Sequence, residues 1–258
     1  MNRFIPHHVI DGAGPPLVLI HGVGGALDSW DFLVERLRPH YRLIRYDLRG
    51  HGASAKLPGP YALRDFVDDH IALLDHLGLA STDVAGFSLG GLIAQALALE
   101  YPFRVARLAL ISAIGARTPE ESAKARARAD TLATQGATGH LAAAVDRWFT
   151  AAFQAAHPEI VAQRKRASLA NDPHCYAAAY RALADSDMID ELHRIPHRTL
   201  VMTGELDGGS TPRMSAAMAG RMPDARLIVL PGLKHSVLLE SPATVAGHLL
   251  DFLKETNR

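Results

Sequence analysis

The sequence predicts an α/β protein with a mostly parallel, doubly wound sheet and a helical cap inserted into it. Short, nearly continuous apolar runs alternate with longer segments of helical spacing, which is typical of a parallel sheet covered on both faces. Between about residues 118 and 192 this alternation stops, and alanine-rich helical spacing takes over. Strand-like runs then return. We therefore expect a core formed by residues 1–115 and 194–258, with residues 116–193 as the cap.

The apolar runs that we predict as strands are residues 16–20, 43–46, 83–87, 105–111, 199–202 and 226–230. Helices are expected over about 28–38, 63–77 and 89–100, where apolar residues recur at helical spacing. Three or four more helices fit the cap, where Gly136, Gly139, Pro158 and Pro173 mark interruptions.

Composition and charge favour a small-molecule partner. The 27 basic and 27 acidic side chains cancel, so bulk electrostatics indicates neither a nucleic acid nor a membrane surface. Residues 1–11 lack the apolar stretch of a signal peptide, and no run approaches the roughly 20 apolar residues of a membrane span. Cys175, the single cysteine, fits a reducing compartment, and we expect a cytoplasmic protein. The oligomeric state stays open, a homo-oligomer included.

Neither a metal nor a cofactor is expected. The most metal-like histidine spacing, His193 and His197, flanks an Ile-Pro pair that breaks a helical face. No dinucleotide fingerprint or phosphate loop is present, because the glycines of residues 22–25 lack the required spacing.

A possible catalytic centre is indicated by Gly86-Phe87-Ser88-Leu89-Gly90, which stands where a predicted strand turns into a predicted helix. A serine on such a turn has a strained backbone, and small residues two positions before and after it keep side chains off the crowded turn. Its hydroxyl then points out at the end of the sheet. We therefore predict Ser88 as a nucleophile, with the alternative that it is an incidental serine in a glycine-rich turn.

A serine nucleophile needs a base and an acid that orients the base. His235 stands in a loop directly after the last predicted strand, at the sheet edge where Ser88 is expected. The acid should precede it, again just past a strand, and both Glu205 and Asp207 follow the strand at 199–202. Asp207 is preferred because two further residues carry its carboxylate towards the His235 loop.

An oxyanion hole completes the set. The turn His21-Gly22-Val23-Gly24 is too glycine-rich to continue a strand, and its backbone can approach a substrate closely. The backbone amides of Val23 and Leu89 are therefore the expected donors to the oxyanion of an acyl-transfer intermediate.

In chain order, the oxyanion turn, the serine, the aspartate and the histidine resemble the pattern of the α/β-hydrolase family, and the resemblance covers nearly the whole chain. The matching segments are His21-Gly22, Asp47-x-Arg49-Gly50-His51-Gly52, the Ser88 turn, Gly204-x-x-Asp207 and His235. The resemblance implies that Ser88 is the nucleophile, that His235 acts as base and then acid, and that Asp207 holds its tautomer. It also implies a structural role for residues 47–52.

Within the family, three further segments are most similar to the 3-oxoadipate enol-lactonase group. They are Gly59-Pro60-Tyr61, Arg147-Trp148-Phe149-Thr150 with His157-Pro158-Glu159, and Asn171-Asp172-Pro173 with Tyr176. Arg147 and Trp148 could form a substrate pocket, because a guanidinium binds a carboxylate bidentately and an indole supplies an apolar wall. The alternative places Trp148 in the core of the cap and Arg147 in solvent.

The resemblance implies a serine hydrolase that cleaves an ester or enol-lactone bond of a small carboxylated metabolite through an acyl-enzyme. One alternative is an amide hydrolase acting on an acylaminomethylene-succinate from pyridine-ring breakdown. A general carboxylesterase or perhydrolase is another, and a receptor that keeps the triad without catalysis is a third.

Overall fold

The computed structural model describes residues 4–255 and contains a seven-stranded sheet. Its strands are β1 (His8–Asp11), β2 (Pro16–Ile20), β3 (Arg42–Tyr46), β4 (Thr82–Phe87), β5 (Val105–Ile111), β6 (Thr199–Gly204) and β7 (Ala225–Leu230). They lie in the order β1-β3-β2-β4-β5-β6-β7, with β1 antiparallel to β3 and every other neighbouring pair parallel. The prediction of a mostly parallel sheet is confirmed.

Helices connect these strands and cover the sheet. They are α1 (Asp31–Leu37), α2 (Leu63–His76), α3 (Leu89–Glu100), α4 (Pro119–Trp148), α5 (Ala151–Ala156), α6 (Pro158–Leu169), α7 (Pro173–Asp185), α8 (Pro212–Arg221), α9 (Val237–Glu240) and α10 (Pro242–Lys254). A 3-10 turn, Leu27–Trp30, precedes α1.

Both faces of the sheet are buried at its central strands, β2 to β6, which explains why these strands read as continuous apolar runs. Successive side chains of a strand point to opposite faces. In β2, Val18 and Ile20 belong to the core beneath α2, α3 and α8, whereas Leu17 and Leu19 belong to the core beneath α1 and α10. The carboxyl ends of β4, β6 and β7 consequently meet at one edge of the sheet, where Ser88, Asp207 and His235 follow them.

The helices α4 to α7 all lie between β5 and β6. Helix α4 is interrupted at Gly136, whose φ of +68° is left-handed and breaks the helical backbone. Pro158 and Pro173 open α6 and α7 at the first helical turn, where a missing amide proton costs nothing. The division into residues 1–115, 116–193 and 194–258 stays a prediction.

The two edge strands, β1 and β7, are more exposed than the central strands of the sheet. The sequence did not predict β1, because its four residues are partly or fully exposed and lack an apolar run. In β7, Leu227 and Val229 are exposed, since this strand has a neighbour on one side only. Among the helices of residues 4–255, none combines the length and hydropathy needed to cross a bilayer.

Candidate active site

Ser88 lies on the tight turn between β4 and α3. Its backbone φ of +54° and ψ of −114° are strained for a residue with a side chain. The flanking glycines are required by space: a Cβ at Gly86 would lie 2.2 Å from the carbonyl oxygen of Gly90, and a Cβ at Gly90 would lie 2.2 Å from that of Ile20. The Ser88 amide donates to the Ile111 carbonyl at 2.9 Å, which ties the turn to the end of β5.

His235 and Asp207 meet at the same edge of the sheet. Nδ1 of His235 donates to Oδ2 of Asp207 at 2.7 Å. The other carboxylate oxygen of Asp207 accepts from the amides of Gly209 and Ser210 at 2.8 and 2.9 Å, so the buried carboxylate is fixed by its own loop. With its proton on Nδ1, the imidazole keeps a lone pair on Nε2, as a general base requires.

Glu205, the other acid that the sequence offered, lies elsewhere. Its Oε2 accepts from the Gly232 amide at 2.8 Å, at the start of the loop that carries His235. The structure therefore brings Asp207, and not Glu205, together with the imidazole of His235.

The turn that holds Val23 is shaped by two buried histidines. His21 Nδ1 donates to the Gly22 carbonyl at 2.8 Å, and His51 Nε2 accepts from the Gly24 amide at 3.1 Å. Burial lowers the pKa of His21 to about 4 and that of His51 to about 3, so both rings are neutral near pH 7. Neutral rings can donate and accept at once, and they fix the turn on both sides of Val23.

Leu89, the other predicted oxyanion donor, is the first residue of α3. Backbone amides in the first helical turn have no intrahelical acceptor, and the positive end of the helix dipole favours an anion there. A Cβ at Gly22 would lie 3.0 Å from the Cβ of Ser88, which places the Val23 turn directly against the serine. The two predicted donors thus flank Ser88 from different elements.

Ser88, Asp207 and His235 line one cavity, which side chains of the inserted helices enclose from the other side. These side chains from α4, α6 and α7 are Arg128, His140, Arg147, Trp148, Arg164, Tyr176, Tyr180 and Leu183. We call this space the arginine cavity. Arg147 and Trp148 are both half-buried in its wall, and Trp148 also packs against the apolar cluster of Val145, Phe149 and Val161 in the inserted segment.

The arginine cavity carries an excess of positive charge. Within residues 4–255, none of Arg128, Arg147 and Arg164 forms an ion pair with a carboxylate; Arg128 Nε donates to Tyr180 Oη at 3.2 Å, and Arg147 Nη1 to the Ala143 carbonyl at 2.6 Å. Burial, together with the nearby arginines Arg147, Arg128 and Arg164, lowers the pKa of His140 to about 4. The cavity is therefore suited to an anionic ligand.

Arg164 connects the inserted helices with the Val23 turn. Its Nη1 donates to the Gly24 carbonyl at 2.8 Å and its Nη2 to the Val23 carbonyl at 3.4 Å. Its guanidinium also lies over the Trp148 ring, with Cζ 4.4 Å from the ring centroid, an arrangement that favours a cation.

Residues 15–242 match the family described as the alpha/beta hydrolase fold. The chain belongs to this family. It is 33% identical over 260 residues to an (E)-2-((N-methylformamido)methylene)succinate hydrolase of Acinetobacter baylyi, a match that covers 99% of this chain and 96% of the relative. It is 35% identical over 197 residues to 3-oxoadipate enol-lactonase 2 of the same organism, covering 76% and 73%. The crystal structure of the enol-lactonase from Burkholderia xenovorans LB400 superimposes with a TM-score of 0.90 at 31% identity, over 96% of both chains.

This α/β-hydrolase is therefore an enzyme, and its predicted similarity to the enol-lactonase group is confirmed. Sequence reasoning missed several residues of the arginine cavity, namely Arg128, His140, Arg164, Tyr176 and Tyr180 as wall residues. Tyr176 belongs to a segment that resembles the enol-lactonase group, but the other four stand on helices without a motif. Nothing local in the sequence distinguishes Arg128 from its exposed neighbour Arg126. Across residues 4–255, His, Cys, Asp and Glu side chains form no group of three or more that could hold a metal ion.

Proposed function

We propose that this α/β-hydrolase cleaves an ester or enol-lactone bond in a small dicarboxylated metabolite, with Ser88 as nucleophile. One observation carries the proposal. The cavity that contains Ser88 and His235 is also lined by three arginines that have no carboxylate partner within residues 4–255. A buried arginine without a counter-ion is unfavourable, and a substrate carboxylate supplies that partner through paired hydrogen bonds.

The reaction proceeds through an acyl-enzyme. As Ser88 Oγ bonds to the substrate carbonyl carbon, its proton passes to Nε2 of His235. The bond from that carbon to the leaving oxygen or nitrogen then breaks, and His235 returns the proton to the leaving group. In the second half, water gives its proton to His235 as its oxygen bonds to the acyl carbon. Ser88 departs with that proton, and a carboxylic acid is released.

The amides of Val23 and Leu89 stabilise the oxyanion in both halves of the reaction. Losing one such donor typically costs about 2.7–4 kcal/mol of transition-state stabilisation. Asp207 stabilises the imidazolium that forms on His235 and keeps its Nδ1 protonated through the 2.7 Å hydrogen bond.

The arginines distinguish a dicarboxylated substrate from a neutral one. Arg128 and Arg147 stand on the same helix, α4, whereas Arg164 reaches the cavity from α6, so cationic groups face the substrate from two directions. Two carboxylates can therefore be held at once, with the planar guanidinium fork giving each a defined orientation.

Amide hydrolysis is the second candidate. It is supported by the relative whose match spans 99% of this chain and which is named for an amide of a methylene-succinate. The same triad and the same arginines would act on such a substrate, because only the leaving atom changes from oxygen to nitrogen.

The test is steady-state hydrolysis of 3-oxoadipate enol-lactone, an acylaminomethylene-succinate and p-nitrophenyl acetate by the wild type and by Ser88→Ala. We expect one dicarboxylated substrate to exceed the neutral ester in kcat/KM by at least about 100-fold. Equal turnover of the neutral ester would instead indicate a general carboxylesterase or perhydrolase. No Ser88-dependent turnover of any of the three substrates would overturn the proposal.

A further inference from the structure

A second cavity lies beside the arginine cavity and has fewer charged side chains in its wall. Its wall includes the apolar side chains of Phe32, Ile160, Ala167, Leu238 and Leu239, with the polar side chains of Ser29, Gln163 and Ser236 at other positions. We call it the apolar cavity. Its charged wall residues are Asp28, which is exposed to solvent, and Arg164.

The two cavities share walls close to the reacting groups. Gly22, Phe87, Arg164 and Ser236 line both of them. Phe87 and Ser236 are the immediate chain neighbours of Ser88 and His235, so the apolar cavity begins next to the atoms that react. It is an extension of the catalytic site rather than a remote surface feature.

Arg164 forms the partition between the two spaces. Its position is set by its hydrogen bonds to the Gly24 carbonyl and to Ser168 Oγ, at 2.8 and 2.5 Å, and by its stacking on Trp148. The hydrogen bond to Gly24 places this side chain directly over the Val23 turn. Gly22, which lines both cavities, belongs to the same turn, so the two cavities meet beside it.

The half of the substrate that enters each cavity follows from the position of the acid. His235 lines the arginine cavity and not the apolar one. Because His235 protonates the leaving group, that group has to stay in the arginine cavity, where its carboxylates meet the arginines. The acyl half then points away from His235, past Gly22 towards the apolar walls.

We propose that the apolar cavity is an acyl subsite that receives the uncharged alkyl part of an acyclic acyl substrate. This inference rests on the proposed function and narrows it, because a lactone carries both halves in a single ring and needs no second cavity. The preferred substrate class is thus an open-chain ester or amide in which a short neutral acyl group is joined to a dicarboxylated leaving group.

The first test changes the volume of the apolar cavity in both directions. Ala167→Leu fills it and Ile160→Ala enlarges it, and both residues line this cavity and not the other. The measured quantity is the ratio of kcat/KM for p-nitrophenyl hexanoate to that for p-nitrophenyl acetate. We expect the ratio to fall at least about 10-fold in Ala167→Leu and to rise in Ile160→Ala, since each methylene in an apolar pocket carries a several-fold preference.

Ala170→Leu is the matched control, because Ala170 is exposed at the end of the same helix and lines neither cavity. Its ratio should equal that of the wild type. Equal loss of activity with both esters in Ala167→Leu, together with an unchanged ratio in Ile160→Ala, would overturn the acyl subsite.

Alkylboronic acids provide a second test that needs no turnover. Boron bonds to Ser88 Oγ, whose proton passes to His235, and the alkyl group then occupies the position of the acyl chain. Butylboronic acid should bind the wild type more tightly than methylboronic acid, and Ala167→Leu should remove the difference, as measured by calorimetry. An equal affinity of the wild type for both would contradict the proposal. Since these probes are uncharged before binding, failure here leaves the dicarboxylate preference of the arginine cavity to be judged separately with Arg147→Ala.

Discussion

The amide of Ser236, the residue after His235, donates a hydrogen bond to the carbonyl oxygen of Trp148 at 2.9 Å. Trp148 is the last residue of α4 and a wall of the arginine cavity. Next to this contact, the Thr150 hydroxyl and amide donate to the two carboxylate oxygens of Glu240 at 2.7 and 3.2 Å. The loop of His235, the proposed base, and the wall of the arginine cavity are therefore joined directly.

Glu240→Gln should loosen this connection. A glutamine side chain has only one acceptor oxygen, so one of the two hydrogen bonds from Thr150 is lost. We expect the free energy of unfolding to fall by about 1–2 kcal/mol and kcat/KM for a dicarboxylated substrate to fall severalfold. Urea denaturation and steady-state kinetics measure the two effects. Glu159→Gln, an exposed change on α6, is the control, and an effect of the same size there would remove the special role of Glu240.

Arg147→Ala should weaken substrate binding selectively. Loss of a bidentate contact with a carboxylate should raise KM for the dicarboxylated substrate by about 30-fold, equivalent to about 2 kcal/mol. The KM for p-nitrophenyl acetate should change little. Arg126→Ala is the matched control, because Arg126 is exposed on the same helix and does not line the cavity. Parallel loss with the charged and the neutral substrate would speak against a carboxylate contact.

Asp207→Asn should abolish most of the catalysis while the fold remains. Both carboxylate oxygens of Asp207 accept hydrogen bonds, and an amide nitrogen in one of those positions favours the wrong tautomer of His235. The expected loss in kcat is about 10⁴-fold. Glu205→Gln serves as the comparison, since Glu205 contacts the Gly232 amide instead of His235. A larger loss in Glu205→Gln than in Asp207→Asn would reverse the assignment of the acid.

His70 should make the fold sensitive to acid. Burial, with a smaller contribution from Arg104, lowers its pKa to about 3. Between its ordinary pKa of about 6.5 and the folded value, the unfolded chain binds a proton that the folded chain does not, so stability falls as the pH falls. The loss from this one group is about 2 kcal/mol between pH 6.5 and pH 5.

The variant His70→Asn isolates that contribution. In the wild type, Nδ1 of His70 lies 3.2 Å from the Tyr46 hydroxyl, and an asparagine side chain can keep this contact without titrating. Urea denaturation at pH 7, 6 and 5 should give a shallower decline in the variant than in the wild type. Identical slopes in the two proteins would show that His70 does not titrate as its burial requires.

The sequence predicts that Ser88, Asp207 and His235 lie at one edge of the sheet, because the position of each depends on local chain geometry. Gly86 and Gly90 are needed by the turn around Ser88, and Asp207 and His235 directly follow strands whose burial makes them easy to recognise. Parallel strands bring their carboxyl ends to one edge, so order along the chain is enough to predict proximity there.

The walls of the two cavities were harder to predict, since they depend on how helices pack and not on local pattern. Arg164 and Arg166 are two residues apart on one helix, yet only Arg164 faces the site. Arg147 was recognisable through the Arg-Trp pair shared with the enol-lactonase group, whereas Arg128 had no such marker. The sequence did not predict strand β1 for a related reason. This strand is defined by its pairing with β3 and not by its composition.

The carbonyl oxygen of Gly24 accepts hydrogen bonds from Arg164, Ser168 and Asn171, at 2.8, 3.4 and 3.2 Å. All three donors come from the segment inserted between β5 and β6. The inserted segment therefore also holds in place the turn that carries Val23, the proposed oxyanion donor. A chimaera that carried another relative's helices on this sheet would need equivalent hydrogen-bond donors to the Gly24 carbonyl. Without them, its substrate specificity would change but its kcat would fall.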